Sequence, residues 1–383
     1  MSRVRVSLLA DAMCDPRPRG LARYTRGLCT ALLESGEIDL ELVAHLSPAA
    51  GELPPAPVSR LTASRELVRE HVELPRLMSR RQIDVLHAPA NRGLPVWAPC
   101  PTVVTRHDVI ERMFAPGHRG SRRGRLRMLY ADAIAMRRST VVTTVSETSR
   151  RDIERQWPGC RGRTLVAGEG VDSRFFDPRV SEATERLRAR HQLPRSFVLY
   201  VGGFEPRKDV ATLIAAMAAC RVPDVGLVLA GSMGQWRDRI LASLATAQIA
   251  GRTRVLDFVG DDDLPGLYAA ARCFVCPSRY EGFGLPVIEA MATGRPTIVS
   301  DGGALPEVAG DAAAVFPAGD AAALTSAIEQ VLTDSRLATR LIEHGRRRAE
   351  EYRWERVVGR YVSLYRRMSG ADAVPPATQP VYA

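Results

Sequence analysis

Lysine is all but missing from this 383-residue chain: of its 53 basic residues only Lys208 is a lysine. So general a preference for arginine reads as coding bias rather than function, but against that background Lys208 stands apart. Also missing is any uninterrupted apolar run near the roughly 20 residues that span a bilayer, which excludes a membrane-spanning helix as the organising element. The apolar stretch after Met1 is short and is cut by Asp11, so it reads as a first buried strand rather than a secretion signal, and a cytoplasmic location is expected. The seven cysteines form no regular framework. Cys273 and Cys276 make a lone C-x-x-C inside an apolar run with no second pair after it, so they read as buried reduced thiols, and no metal site is expected. No G-x-G-x-x-G follows the first strand, which counts against a dinucleotide-binding dehydrogenase.

What is present is an ordinary globular composition, 45% apolar and 25% charged, over a length that suits two domains. Short β-branched runs alternate with helical spacing throughout: Val4 to Leu9, Leu21 to Glu34, Ile38 to Leu46, Glu66 to Arg81, Ile83 to His87 and Thr102 to Val109. The same alternation restarts at Phe197. Such a pattern indicates α/β architecture, with parallel sheets flanked by helices. The expected divisions are 1–177, 178–350, a last helix over 351–369 and a disordered tail over 370–383. The net charge is +10, and arginines crowd the stretch from His118 to Arg138. Two readings of that stretch stay open: a solvated face, or a basic amphipathic helix at an anionic membrane surface. No nucleic-acid recognition motif accompanies it.

The most informative stretch runs from Tyr280 to Ala292, Tyr-Glu-Gly-Phe-Gly-Leu-Pro-Val-Ile-Glu-Ala-Met-Ala. It leaves an apolar strand, passes a glycine-punctuated loop and enters a helix with Pro286 in its first turn, where a missing N–H costs nothing. Free amides and a positive dipole end at such a junction suit a phosphate, and Gly282 and Gly284 allow close approach to the backbone. Glu281 and Glu289 bracket the turn. Carboxylates repel phosphate, so they fit sugar or ribose hydroxyls, although either one alone also fits a surface charge. Earlier, Gly202-Gly203 leave the strand Phe197 to Val201 and lead to Arg207-Lys208. Two cations after a glycine-rich strand exit suit a diphosphate, and an ammonium is the more compact of the two. His107 and Asp108 end the strand at Thr102, where ligand groups gather in parallel sheets.

These features resemble the E-x7-E signature and diphosphate loop of the retaining, nucleotide-sugar-dependent glycosyltransferases of family 4, most of all the mannosyltransferase-like branch. The resemblance implies a GT-B fold, two Rossmann-like domains facing a central cleft, with a C-terminal helix crossing back to the first domain. It implies that Glu281 lies near the donor sugar and Glu289 bonds the ribose, while Gly282, Phe283, Gly284 and Leu285 lie near sugar and diphosphate. Arg207 and Lys208, after Gly202 and Gly203, would hold the diphosphate, and Val259 would lie by the base. His107 would position the donor sugar, with Asp108 orienting it or meeting the acceptor. Gly20 matches the family's N-terminal glycine loop, although Arg19 replaces a usual second glycine, and Gly168-Glu169 replace a usual Pro-Asn.

The activity implied is hexosyl transfer with retained configuration, best fitted by GDP-mannose and next by a UDP-sugar, without cofactor or metal. The acceptor would be a saccharide, lipid-linked or small-molecule hydroxyl, and the stretch 118–138 would supply any peripheral membrane contact. A glycoside hydrolase built on the two glutamates would leave the phosphate features without purpose. The remaining alternative is a membrane- or nucleic-acid-surface protein on an inactive GT-B scaffold.

Overall fold

In the computed structural model the described residues are 3–14, 20–45, 53–114, 122–177 and 180–371. The part of the basic stretch before Arg122, the tail from 372 and the point of division at 178 lie outside them. The chain forms two compact units, one of residues 1–170 with 354–383 and one of residues 171–353. The first change of unit thus falls at Gly170, a few residues before the expected 177/178.

In the first unit seven strands form a parallel sheet: β1 (Val4–Leu9), β2 (Ile38–Ala44), β3 (Val58–Arg60), β4 (Val85–Ala88), β5 (Thr102–Thr105), β6 (Val141–Thr144) and β7 (Thr164–Val166), in the order β3-β2-β1-β4-β5-β6-β7. β4 and β5 are buried at every position, as continuous apolar or β-branched runs in a helix-covered parallel sheet should be. Parallel neighbours need long crossovers, which is why the sequence alternates strand and helix. Leu28 and Leu32 of the helix Gly20–Ser35 share a core with Val6, Leu8 and Val85 of the sheet and with Val357, Tyr361 and Tyr365 of the helix Trp354–Ser369. The last helix is seated in this unit by Trp354. A β-carbon on Gly27 would lie 2.3 Å from the indole nitrogen, and one on Gly170 would lie 2.2 Å from the ring, so only glycine lets the indole in.

One expected element is broken. The helical spacing from Glu66 to Arg81 becomes Glu66–Val68, a wider π turn over Arg69–Glu73, and Leu74–Arg81. Pro75 is the cause: it lacks an N–H and its ring crowds the carbonyl four residues back, which a π turn relieves. The basic stretch does form a helix, Arg122–Arg138. Its first turns leave Leu126, Leu129 and Tyr130 exposed, while Ala135 and Met136 are buried.

The second unit has six parallel strands: β8 (Ser196–Val201), β9 (Val225–Ala230), β10 (Thr253–Leu256), β11 (Cys273–Cys276), β12 (Thr297–Ser300) and β13 (Ala314–Phe316), in the order β10-β9-β8-β11-β12-β13. Cys273 and Cys276 are buried within β11, and burial pushes their thiols up to about 12 and about 11. The order reverses beside β8: β9 lies on one side and β11 on the other. In open parallel sheets ligands bind outside the carboxyl ends of strands at such a switch point. The loops that leave β8 and β11 are therefore neighbours. No helix among the described residues is long and apolar enough to cross a membrane.

Candidate functional site

The loop after β8 turns at once. The Gly202 N–H donates to the Ala230 carbonyl, Pro206–Lys208 make a single 3-10 turn, and Asp209 takes a left-handed conformation at φ 48°. Aspartate tolerates that region better than most residues because its short polar side chain bonds locally. Three contacts clamp this turn to the loop after β11. The Arg279 N–H donates to the Arg207 carbonyl at 2.7 Å, the Arg279 guanidinium meets the Asp209 carboxylate at 3.0 Å, and Arg207 donates to the Tyr280 carbonyl at 3.0 Å. From below, the Ser300 hydroxyl donates to the Ser278 carbonyl.

The clamp brings three charged side chains together. Lys208 Nζ lies 2.6 Å from Glu281 Oε1 and Arg207 Nη1 lies 3.1 Å from Glu281 Oε2. The Ser278 hydroxyl donates to Oε1 at 2.6 Å. Burial alone would push the Glu281 carboxyl up, but the charges of Lys208 and Arg207 and the bonds from Lys208 and Ser278 hold it down at about 2. It is ionised at any working pH. Gly284, at φ 100°, then starts the helix Leu285–Ala292, and Glu281 to Gly284 are all buried. Phe283 packs edge-on against Tyr352, with ring centres 5.3 Å apart. Glu289, on the same helix, is fully buried and accepts a 2.8 Å bond from the Tyr268 hydroxyl. Val259 is buried beyond β10. Gly202 and Gly203 lie beside Tyr200, whose hydroxyl donates to the Gly203 carbonyl.

The other expected residues belong to the first unit. His107 follows β5 and is buried; its backbone N–H donates to the Asn91 side chain at 2.9 Å and its ring Nε2 donates to the Pro89 carbonyl at 3.0 Å. Burial holds it at about pKa 4, so the ring is neutral at neutral pH with Nδ1 unprotonated. Tyr24 stands edge-on against it at 4.4 Å. The orientation of His107 thus comes from Pro89, Asn91 and Tyr24, while Asp108 accepts from the Ile110 N–H at 3.0 Å and starts the short helix there. His87 is buried between the Tyr365 and Thr105 hydroxyls, bonds of 2.7 and 2.8 Å, and is held at about 3 by burial and by His107. Gly20 opens its helix exposed, with open space where a β-carbon would go.

Reading the sequence did not find the buried charge cluster beside His107. Asp132 and Arg106 are each 1% exposed; Asp132 Oδ1 takes Arg106 at 2.9 Å and Arg92 at 2.6 Å, while Arg112 stacks 4.5 Å from the Trp157 ring centre. Replacing Asp132 by alanine leaves Arg106 buried and unpaired, and should cost about 3–5 kcal/mol. Chemical denaturation measures it, and a loss below about 1 kcal/mol, the worth of a surface pair, would show the cluster to be solvated.

No three of the described histidine, cysteine, aspartate or glutamate side chains come together as a metal-holding group. Comparison with known proteins agrees with this arrangement of units. Residues 18–175 match the family model described as Glycosyltransferase Family 4, and residues 183–348 match that described as Glycosyl transferases group 1. An O-antigen chain mannosyltransferase B of Escherichia coli is 34% identical over 233 residues, 59% of this chain and 60% of that protein. An MMP alpha-(1->4)-mannosyltransferase of Mycolicibacterium hassiacum is 33% identical over 229 residues, 58% of this chain and 53% of its own length. The chain thus spans a little over half the length of these curated relatives. A sucrose-phosphate synthase of Thermosynechococcus elongatus superposes with a TM-score of 0.78 at 25% identity, over 97% of this chain and all of that one. With the two family models spanning residues 18–175 and 183–348 between them, the chain belongs to the glycosyltransferases of family 4 and has the GT-B fold.

Proposed function

We propose that this protein is a retaining hexosyltransferase that moves mannose from GDP-mannose to an acceptor hydroxyl and needs no metal ion. The observation that carries this reading is the convergence of Arg207, Lys208 and Glu281 at the switch point of the second unit. Breaking the bond between the sugar C1 and the phosphate oxygen loads charge onto the departing diphosphate. Cations fixed beforehand at that place stabilise the transition state without reorganising. Two protein cations supply what a divalent ion otherwise would. Glu281 serves the donor sugar and Glu289 the ribose. His107, neutral because it is buried and with its Nε2–H given to the Pro89 carbonyl, keeps Nδ1 to accept a hydrogen bond from a sugar hydroxyl and carries no charge. The acceptor oxygen takes C1 on the face the diphosphate leaves, and its proton passes to the leaving phosphate, so no carboxylate need act as nucleophile.

Mannose is supported by the two mannosyltransferase relatives, and GDP is the carrier that goes with it in this reading. The test is calorimetric titration of GDP and UDP with a chelator present, followed by turnover of GDP-mannose. Binding of GDP at least about tenfold tighter than UDP, a difference of about 1.4 kcal/mol, is expected. The reverse preference transfers the reading to a UDP-sugar. Failure of both to bind the folded protein removes the hexosyltransferase reading.

A further inference from the structure

We propose that Glu281 holds the place of the donor diphosphate until the donor binds, so that donor binding exchanges one anion for another on Lys208 and Arg207. This rests on the reading of those two residues as the diphosphate site. Each carboxylate oxygen is engaged with one cation, Oε1 with Lys208 at 2.6 Å and Oε2 with Arg207 at 3.1 Å. The side chains are only 9%, 16% and 18% exposed for Glu281, Lys208 and Arg207, so little of either cation is left open while the carboxylate is engaged with both. Were Glu281 to stay, a diphosphate would bring at least two further negative charges to two positive ones, with a carboxylate already between them. The carboxylate must swing away.

The backbone is built for a swing of the side chain alone. The Glu281 carbonyl accepts the Ala304 N–H at 2.9 Å, and the Tyr280 carbonyl accepts Arg207. The main chain on both sides of the Glu281 Cα is therefore tied down while its side chain has only polar partners to release. A group that leaves the cations when phosphate arrives comes free at the moment the sugar needs a hydrogen-bond acceptor. Binding and the arming of Glu281 are then one event. The pairing with Glu281 also avoids a partly buried pair of unpaired cations, which would be costly and would capture any stray phosphate.

The decisive variant is Glu281→Gln, which keeps the shape but removes the competing charge and leaves one acceptor oxygen where the carboxylate had two. Titrated with inorganic pyrophosphate and with GDP, it should bind both at least about tenfold more tightly than wild type, a fraction of the repulsion expected between like charges a few ångströms apart, while GDP-mannose turnover falls. Equal or weaker binding by the variant, with wild type binding normally, overturns the exchange and makes Glu281 a residue that positions the cations. Absence of binding by wild type instead removes the diphosphate site itself. A second measurement needs no variant. Because Lys208 is the chain's one lysine, labelling with 15N-lysine gives a single side-chain nitrogen signal, that of Nζ. That signal should shift on saturation of wild type with pyrophosphate. A signal that stays in place at saturation overturns the proposal.

Discussion

Lys208→Ala should lower transfer from the nucleotide sugar by about 10²–10³-fold, the usual cost of removing one fixed donor aimed at developing charge. The effect should fall on the rate constant at saturating donor more than on donor affinity, because the charge on the diphosphate grows only as the bond breaks. In a chain that uses arginine everywhere else, Lys208→Arg is the sharper comparison. The site is tight: Nζ is 2.6 Å from Glu281 and the side chain is 16% exposed. A planar guanidinium is bulkier and fits such a place less well than a compact ammonium. The arginine variant should therefore recover only part of the loss. Steady-state kinetics on the three proteins decide it; an alanine variant within twofold of wild type would show that the cation at 208 has no part in the reaction.

Much of this architecture can be read before any coordinates, because parallel sheets advertise themselves. Their strands are buried on both faces and appear as short β-branched runs, and each must be followed by a crossover, so the two-unit α/β reading follows from periodicity. The junction from Tyr280 to Ala292 is legible for a related reason, since a strand exit, two glycines and an early proline are all local signals. The meeting of Lys208 with Glu281 is not local. The partners are 73 positions apart, and nothing short of knowing that β8 and β11 are neighbours puts their loops side by side. Ser278 escapes notice because a serine before a loop is ordinary; only its bond to Glu281 gives it a role. Asp132 is hidden differently. It sits on a helix whose other charges read as a basic solvated face, and its burial is decided by Arg92 and Arg106, which come from loops after other strands. The π turn before Pro75 could have been anticipated from the proline, but the helical spacing on both sides reads as continuous.

Gly303→Ala should reduce transfer by roughly a hundredfold, as displacements of about 1 Å at a reacting group can, although residue 303 carries no functional group. A β-carbon there would lie 2.4 Å from the Glu281 carbonyl oxygen and 2.7 Å from its nitrogen, and one on the neighbouring Gly302 would lie just as close, 2.4 Å, to the Ser278 carbonyl oxygen. Those are backbone atoms of the loop that presents Glu281. No rotamer change relieves the overlap, so the loop itself must move, and the Ala304 bond to the Glu281 carbonyl goes with it. Gly303 also has φ +63°, and the handedness penalty of about 1–2 kcal/mol is expected on stability in any case. Gly36→Ala separates the two effects. Gly36 has φ +64° and nothing within 4 Å of the added carbon, so it bears the handedness cost without the collision. Both variants should lose stability in urea, Gly303→Ala by more, but only Gly303→Ala should lose transfer and GDP binding. Equal stability losses and unchanged transfer in both would mean that the loop yields to the extra carbon without disturbing Glu281, and that the close packing of the two loops does not set the geometry of the site.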